Sequence, residues 1–226
     1  MAIPGDLVLV DDVAAAFSGR VIDAFRTRPL DTFSIALSGG STARDCYEHL
    51  AGAAGSQIDW WKVDVYWGDE RCVPHDHVDS NYRLAREALL DRVGAANATH
   101  LMRCTEGPDP YQLRLGDLGR IDMVHLGLGP DGHTASLFPH SAALDADPGR
   151  LVAMNDDPLG TNPYQRMTLT LAGIARANLV VVTVAGEAKA EALAAVAAGD
   201  DLPAARIEAD RVVWLVDHAA ASLLPS

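Results

Sequence analysis

The sequence predicts an α/β fold with a mainly parallel sheet covered by helices on both faces. Three observations carry this. Short β-type runs alternate with helical patterns along most of the chain. The runs are near-continuous apolar stretches, as in strands buried on both faces. No internal repeat or low-complexity linker interrupts the alternation. The chain has 226 residues, and at roughly 150 residues per domain it holds one domain or two.

Strands are predicted at residues 7–10, 33–37, 63–67, 123–128, 179–185 and 212–216. A helix is predicted over 82–90, where Leu84, Ala85, Ala88 and Leu89 fall on one face. A second runs over 187–198 and closes at Gly199. The alanine-rich tracts 192–198 and 219–221 both read as helix. The proline-containing stretch 139–163 has no clear period. Trp60 and Trp61 read as packing anchors, and His125, inside an apolar strand, as core.

Apolar residues at 49% and charged residues at 22% are ordinary for a soluble globular chain and do not favour disorder. A net charge of −13 argues against nucleic acid or an anionic membrane as partner. It leaves room for a small anion held by a local cluster of cations. The three cysteines, Cys46, Cys72 and Cys104, are odd in number and show no CxxC spacing. They suggest neither a disulfide framework nor a zinc ribbon, and point to a reducing compartment. The segment MAIPGDLVLVDD lacks a basic region followed by an apolar one, so no signal peptide is expected. Apolar runs such as 179–185 are too short to span a bilayer. A cytoplasmic protein is expected.

In open α/β sheets ligands bind beyond the carboxyl ends of the strands. After 33–37 comes Ser38-Gly39-Gly40-Ser41-Thr42 and then a helix. Such a loop is either a tight turn, with Thr42 and Asp45 as a capping box, or a phosphate cradle at a helix N-terminus. After 63–67 comes Gly68-Asp69-Glu70-Arg71, either a solvated loop or part of a site. After 123–128 comes Gly129-Pro130-Asp131-Gly132-His133-Thr134. An imidazole beside a carboxylate in a glycine-rich turn suits general-base chemistry. Lys189 and Arg44 each fall in the first turn of a helix, where the macrodipole disfavours a cation. Either both point to solvent, or a bound phosphate turns each to advantage. His75-Asp76-His77 hints at a metal, but nothing nearby completes a ligand set, and no metal is expected.

Together the stretches ALSGGSTARDCYEHL, VYWGDERCVPHDHVDSNYRLAREALL, HLGLGPDGHTASLFP, RMTLTLAGI and VVTVAGEAKAEAL resemble the 6-phosphogluconolactonase family. They cover most of the chain from residue 33 to about residue 198. Ala43 departs from the proline that many members carry there. The resemblance implies hydrolysis of 6-phospho-D-glucono-1,5-lactone in the oxidative pentose phosphate pathway. It also implies one modified Rossmann-type α/β/α domain over residues 1–226 and no cofactor, metal or organic. The substrate is the one partner it names.

On this reading His133 is the base and Asp131 its first-choice orienter, with Asp69 and Glu70 close behind. Arg71 stabilises developing charge. Gly39, Gly40, Ser41 and Thr42 hold the phosphate with Arg44, Arg166 and Lys189. The resemblance points to Arg166 and Lys189; Arg44 rests on its helix position. Glucosamine-6-phosphate deaminase/isomerase shares the GGST-like loop and the DGH turn. That family carries a glutamate five positions after the histidine, where this chain has Phe138, and an aromatic residue where it has Arg71. Both departures favour the lactonase. A non-catalytic sugar-phosphate binder would be expected to lose the DGH histidine or its carboxylates, which are present here.

Overall fold

The computed structural model describes residues 3–53 and 57–225. In chain order its elements are β1 (Asp6–Leu9), α1 (Val13–Thr27), β2 (Phe33–Leu37), α2 (Ser41–Ala53), β3 (Val63–Trp67), β4 (Asp69–Arg71) and α3 (Asn81–Ala85). There follow β5 (Ala98–Thr99), α4 (Asp109–Leu118), β6 (Ile121–Gly127), β7 (Val152–Asn155), β8 (Arg166–Leu169), α5 (Leu171–Ile174), β9 (Ala177–Val184), α6 (Ala190–Ala198) and β10 (Val212–Val216). All six predicted strands are present, each within two residues of its expected start.

Seven strands form one parallel sheet in the order β1-β10-β9-β6-β2-β3-β5. β2, β3 and β10 bury nearly every residue, which explains their continuous apolar character. Helix α1 starts where the Asp12 carboxylate accepts the Ala15 N–H at 2.9 Å. Val13, Phe17, Val21 and Phe25 recur every fourth residue and form its buried stripe. Helix α2 buries Ala43, Cys46, Tyr47 and Leu50, three and four residues apart on one face, and packs on α1.

Strand order reverses between β2 and β6. The chain runs from β2 to β3 and β5 on one side, and from β6 to β9 and β10 on the other. β2 and β6 pair only through Ile35–Met123 and Ala36–Val124, so their carboxyl ends part and leave a crevice.

Several expectations need correction. The GDER stretch is not a loop: Gly68 carries the chain from β3 straight into β4. β4 joins β8 and β7 in a second, antiparallel sheet ordered β4-β8-β7. That sheet draws β7 from the stretch 139–163, whose short strand is too brief to show a period. The helix over 82–90 is two pieces, α3 and a π-helical turn at Arg86–Leu90. The helix over 187–198 opens with a 3₁₀ turn at Glu187–Lys189 before α6, and closes at Gly199 with φ +91°. Residues 219–221 form turns and not helix. Trp60 is buried, but Trp61 is 62% exposed, with the Lys62 ammonium over its ring.

The cysteine reading is also overturned. Cys72 and Cys104 form a disulfide, their Cα atoms 5.4 Å apart across 32 residues of sequence. Sequence spacing does not report that the end of β4 meets the turn at Cys104–Glu106. Cys46 alone is a free thiol, on the buried face of α2. Among the described residues no helix is long and apolar enough to cross a membrane.

Candidate active site

The crevice beyond β2 and β6 is a cleft walled by the Ser38–Ala43 backbone, the turn after β6, and the facing sheet β4-β8-β7. Each sequence motif reaches it through its own element.

The first wall is the start of α2. The Arg44 N–H donates to the Gly40 carbonyl at 3.0 Å, the first bond of the helix. The N–H groups of Ser41, Thr42 and Ala43 therefore have no intrahelical acceptor, and they lie at the positive end of the helix dipole. Gly40 sits at φ +94°, a conformation that an L side chain resists. Gly39 is required by close approach: a Cβ there would lie 1.8 Å from Asn81 Oδ1. Thr42 and Asp45 make no capping box among the described residues. Arg44 does not reach the cleft wall. Its charge acts instead on Glu87, whose carboxyl is lowered chiefly by its hydrogen bond to Arg83.

The second wall is the turn after β6. The Gly129 N–H donates to the His133 carbonyl at 2.8 Å, and the Gly132 N–H to the Gly129 carbonyl at 3.1 Å. This tight turn folds the His133 ring back onto Gly129, where a Cβ would lie 2.1 Å from Nδ1. Asp131 Oδ1 and His133 Nδ1 are 2.5 Å apart, and Asp131 also accepts the His133 N–H. Burial raises the Asp131 carboxyl, but hydrogen bonding and the charge of His133 outweigh it and leave the group below the usual range. Nδ1 is thus engaged and Nε2 is free to act. Phe138 lies edge-on to the imidazole at 5.1 Å, with the Arg166 guanidinium 5.8 Å from its ring centre.

The third wall is the antiparallel sheet. β4 and β8 pair with Arg71 directly opposite Arg166 and Asp69 opposite Thr168. Like charges directly opposite repel, and at Arg166 the charge of Asp69 opposes that of Arg71. Side chains alternate along a strand, so Asp69 and Arg71 share the cleft face while Glu70 takes the other. This corrects the placement of Glu70 beside His133. Its carboxylate instead accepts the N–H groups of Arg71, Asn81 and Tyr82 and the Ser80 hydroxyl, pinning the start of α3. Burial raises its pKa against those donors.

Asp69 does not touch His133 either. It accepts from Asn81 Nδ2 at 3.0 Å and from the Ser136 hydroxyl at 2.6 Å. Asn81 and Ser136 were both missed in the sequence, although they lie within the quoted stretches SNYR and GHTAS. Nothing in their spacing marks them as partners of Asp69.

Arg71 donates through Nη1 to the Asp79 carbonyl at 2.7 Å, while its buried Nε has no partner among the described residues. Arg166 donates to the Pro163 and Tyr164 carbonyls, and burial lowers its pKa. Lys189, at the N-terminus of α6, closes the cleft. Burial lowers its pKa too, with Asp131 opposing the shift. Three cations held partly out of water form a local positive site in an acidic chain. His75, Asp76 and His77 lie outside the cleft wall, and the His77 ring faces Tyr164.

A family model described as glucosamine-6-phosphate isomerases/6-phosphogluconolactonase matches residues 6–214. The 6-phosphogluconolactonase of Synechocystis sp. is 37% identical over 232 residues, covering 94% of this chain and 92% of its own. The crystal structure of 6-phosphogluconolactonase from Leishmania guyanensis superposes with a TM-score of 0.84 at 26% identity, covering 98% of this chain and 99% of that one. A monomeric glucosamine-6-phosphate deaminase superposes with a TM-score of 0.81 at 16% identity, covering 96% of this chain and 99% of that one, a likeness of fold alone. The modified Rossmann-type architecture read from the sequence is therefore the right one. Since the family model spans most of the chain and the Synechocystis relative matches nearly all of it, the chain belongs to the glucosamine-6-phosphate isomerase/6-phosphogluconolactonase family.

Proposed function

We propose that this protein hydrolyses 6-phospho-D-glucono-1,5-lactone to 6-phospho-D-gluconate in the oxidative pentose phosphate pathway. The observation that carries the reading is the Asp131-bound His133 in the same cleft as the start of α2, Arg166 and Lys189. Water attacks the lactone carbonyl and gives a proton to His133 Nε2. Asp131 holds the ring and favours the imidazolium. Arg71, which lines the same cleft, stabilises the oxyanion. Collapse breaks the bond between C1 and the ring oxygen, and the imidazolium returns its proton to that oxygen. The phosphate lies against Gly39, Gly40, Ser41 and Thr42, with Arg166 and Lys189. Asp69 supports the site through Asn81 and Ser136. Arg44 and Glu70 have no contact role in this mechanism.

No step calls on a metal or an organic cofactor. One domain over residues 1–226 is part of the reading, since one apolar core runs through both sheets. So is a cytoplasmic site of action, which rests on the substrate and not on the cysteines. Neither nucleic acid nor membrane is a partner in this reading.

The test is lactone turnover by the purified protein, followed promptly in a coupled assay. Hydrolysis above the spontaneous rate is expected, and its absence overturns the reading. A deaminase reading shares the fold, the GGST-like loop and the DGH turn. Phe138 has no proton to transfer, so glucosamine 6-phosphate should release no ammonia.

A further inference from the structure

Under the cleft lies a buried polar chain that the mechanism does not use. Tyr47 on α2, His125 on β6 and Thr183 on β9 are at most 2% exposed. The Ser38 N–H donates to the Tyr47 hydroxyl oxygen at 2.7 Å. That oxygen lies 2.9 Å from His125 Nδ1, and His125 Nε2 lies 2.9 Å from Thr183 Oγ1.

The direction of the protons follows from donor counting. The Tyr47 oxygen already receives the Ser38 N–H, so its own hydrogen is free to be donated. Its nearest acceptor is His125 Nδ1, since the Ser38 carbonyl is farther at 3.3 Å. A neutral imidazole carries one donor and one acceptor, so the His125 proton sits on Nε2 and goes to Thr183. Burial drives the His125 pKa down to about 3, which keeps the ring neutral. Phe17 packs against the imidazole at 4.2 Å and Tyr47 meets it edge-on at 5.5 Å, so the rings hold one another in place.

Ser38 opens the loop, and Gly39 and Gly40 lead directly into α2. Tyr47 stands on that same helix. Its bond to Ser38 ties both ends of the loop together, and His125 and Thr183 anchor the tie in two central strands. We propose that Tyr47 and His125 are positioning residues for phosphate recognition. Through Ser38 they fix the angle at which the Ser41, Thr42 and Ala43 N–H groups face the substrate phosphate. The inference rests on the proposed placement of the phosphate at this loop.

The test compares Tyr47→Phe with the unsubstituted protein on 6-phosphogluconolactone and on unphosphorylated gluconolactone, with thermal unfolding measured alongside. Removing one partner of a buried hydrogen bond should raise KM for the phosphorylated lactone about tenfold. The kcat should change little, and the unphosphorylated lactone should be turned over as before. His125→Gln, which can still accept and donate, should lie near the unsubstituted protein, while His125→Leu should follow Tyr47→Phe. Equal effects on both lactones, or none on either, overturn the proposal. If Tyr47→Phe does not fold, Thr183→Val at the far end is read the same way, with the same two outcomes. Arg166→Ala separates the two layers of the reading. If it alone loses the preference for the phosphorylated lactone, the positioning role is wrong and the phosphate site stands. If neither it nor Tyr47→Phe changes that preference, the phosphate placement itself is wrong.

Discussion

At the scale of single residues, His133 owes its setting to two neighbours. Gly129 leaves room for the ring, and Asp131 engages Nδ1 so that Nε2 faces the cleft. A positioned general base contributes about 10²–10⁴-fold. His133→Ala is therefore expected to lower kcat by that factor while its melting temperature stays close to that of the unsubstituted protein. A kcat within about twofold at neutral pH would remove His133 from the role. His125 is the opposite kind of histidine, neutral and sealed in the core. Its pKa is depressed from 6.5 to about 3, so the unfolded chain takes up a proton that the folded one refuses. The sign follows: stability is complete above pH 6.5 and falls as the pH drops from there towards about 3. The loss is on the order of a few kcal/mol over that window. Unfolding midpoints measured across it should decline steeply, and less steeply in His125→Gln. Parallel slopes would contradict this.

At the scale of elements, the site is made by ends and edges. β2 supplies a loop, α2 a helix start, β6 a tight turn and β4 a face. The three residues of β4 show how much the element type matters. Read as a loop, Asp69, Glu70 and Arg71 are equivalent charges; read as a strand, they divide two to one between faces. The junction of α3 and the loop before α2 is equally strict, because Gly39 backs onto Asn81. Gly39→Ala forces Asn81 Oδ1 away or shifts the loop, and breaks the link from Asn81 to Asp69. It should raise KM and lower kcat together and reduce the melting temperature. Steady-state kinetics with calorimetry on this one variant checks both, and unchanged kinetics would show that the loop has slack.

At the scale of the whole molecule, two sheets with different logic share one core. The parallel sheet sets the switch point, and the antiparallel one brings Arg71 and Arg166 across to it. The Cys72–Cys104 bond ties the end of β4, next to Arg71, to the turn that precedes α4. Closing a loop of this length restricts the unfolded chain by about 3–4 kcal/mol. Cys104→Ser, or treatment with a dithiol reductant, is expected to lower the denaturation midpoint accordingly. An identical midpoint with and without reductant would mean that the bond adds nothing to stability.

Most of the parallel sheet was legible because buried strands are apolar runs long enough to stand out, and β2, β3 and β10 appeared at their full lengths. The Asp131–His133 contact was legible because it is local, two residues apart in one turn. Family resemblance pointed to Arg166 but could not seat it opposite Arg71. Strands as short as β4 and β7 carry no period, and the pairing of β4 with β8 joins residues about a hundred positions apart. Nor does any local pattern mark Asn81 and Ser136 on Asp69, Tyr47 with His125, or the disulfide. By itself the sequence determined the fold class, the sheet edge where chemistry gathers and the histidine with its aspartate, because each is written in local pattern. Only the tertiary structure decided that Glu70 and Arg44 turn away, that two arginines face one another and that a buried chain underlies the loop. Those contacts join distant segments, and no local spacing records them.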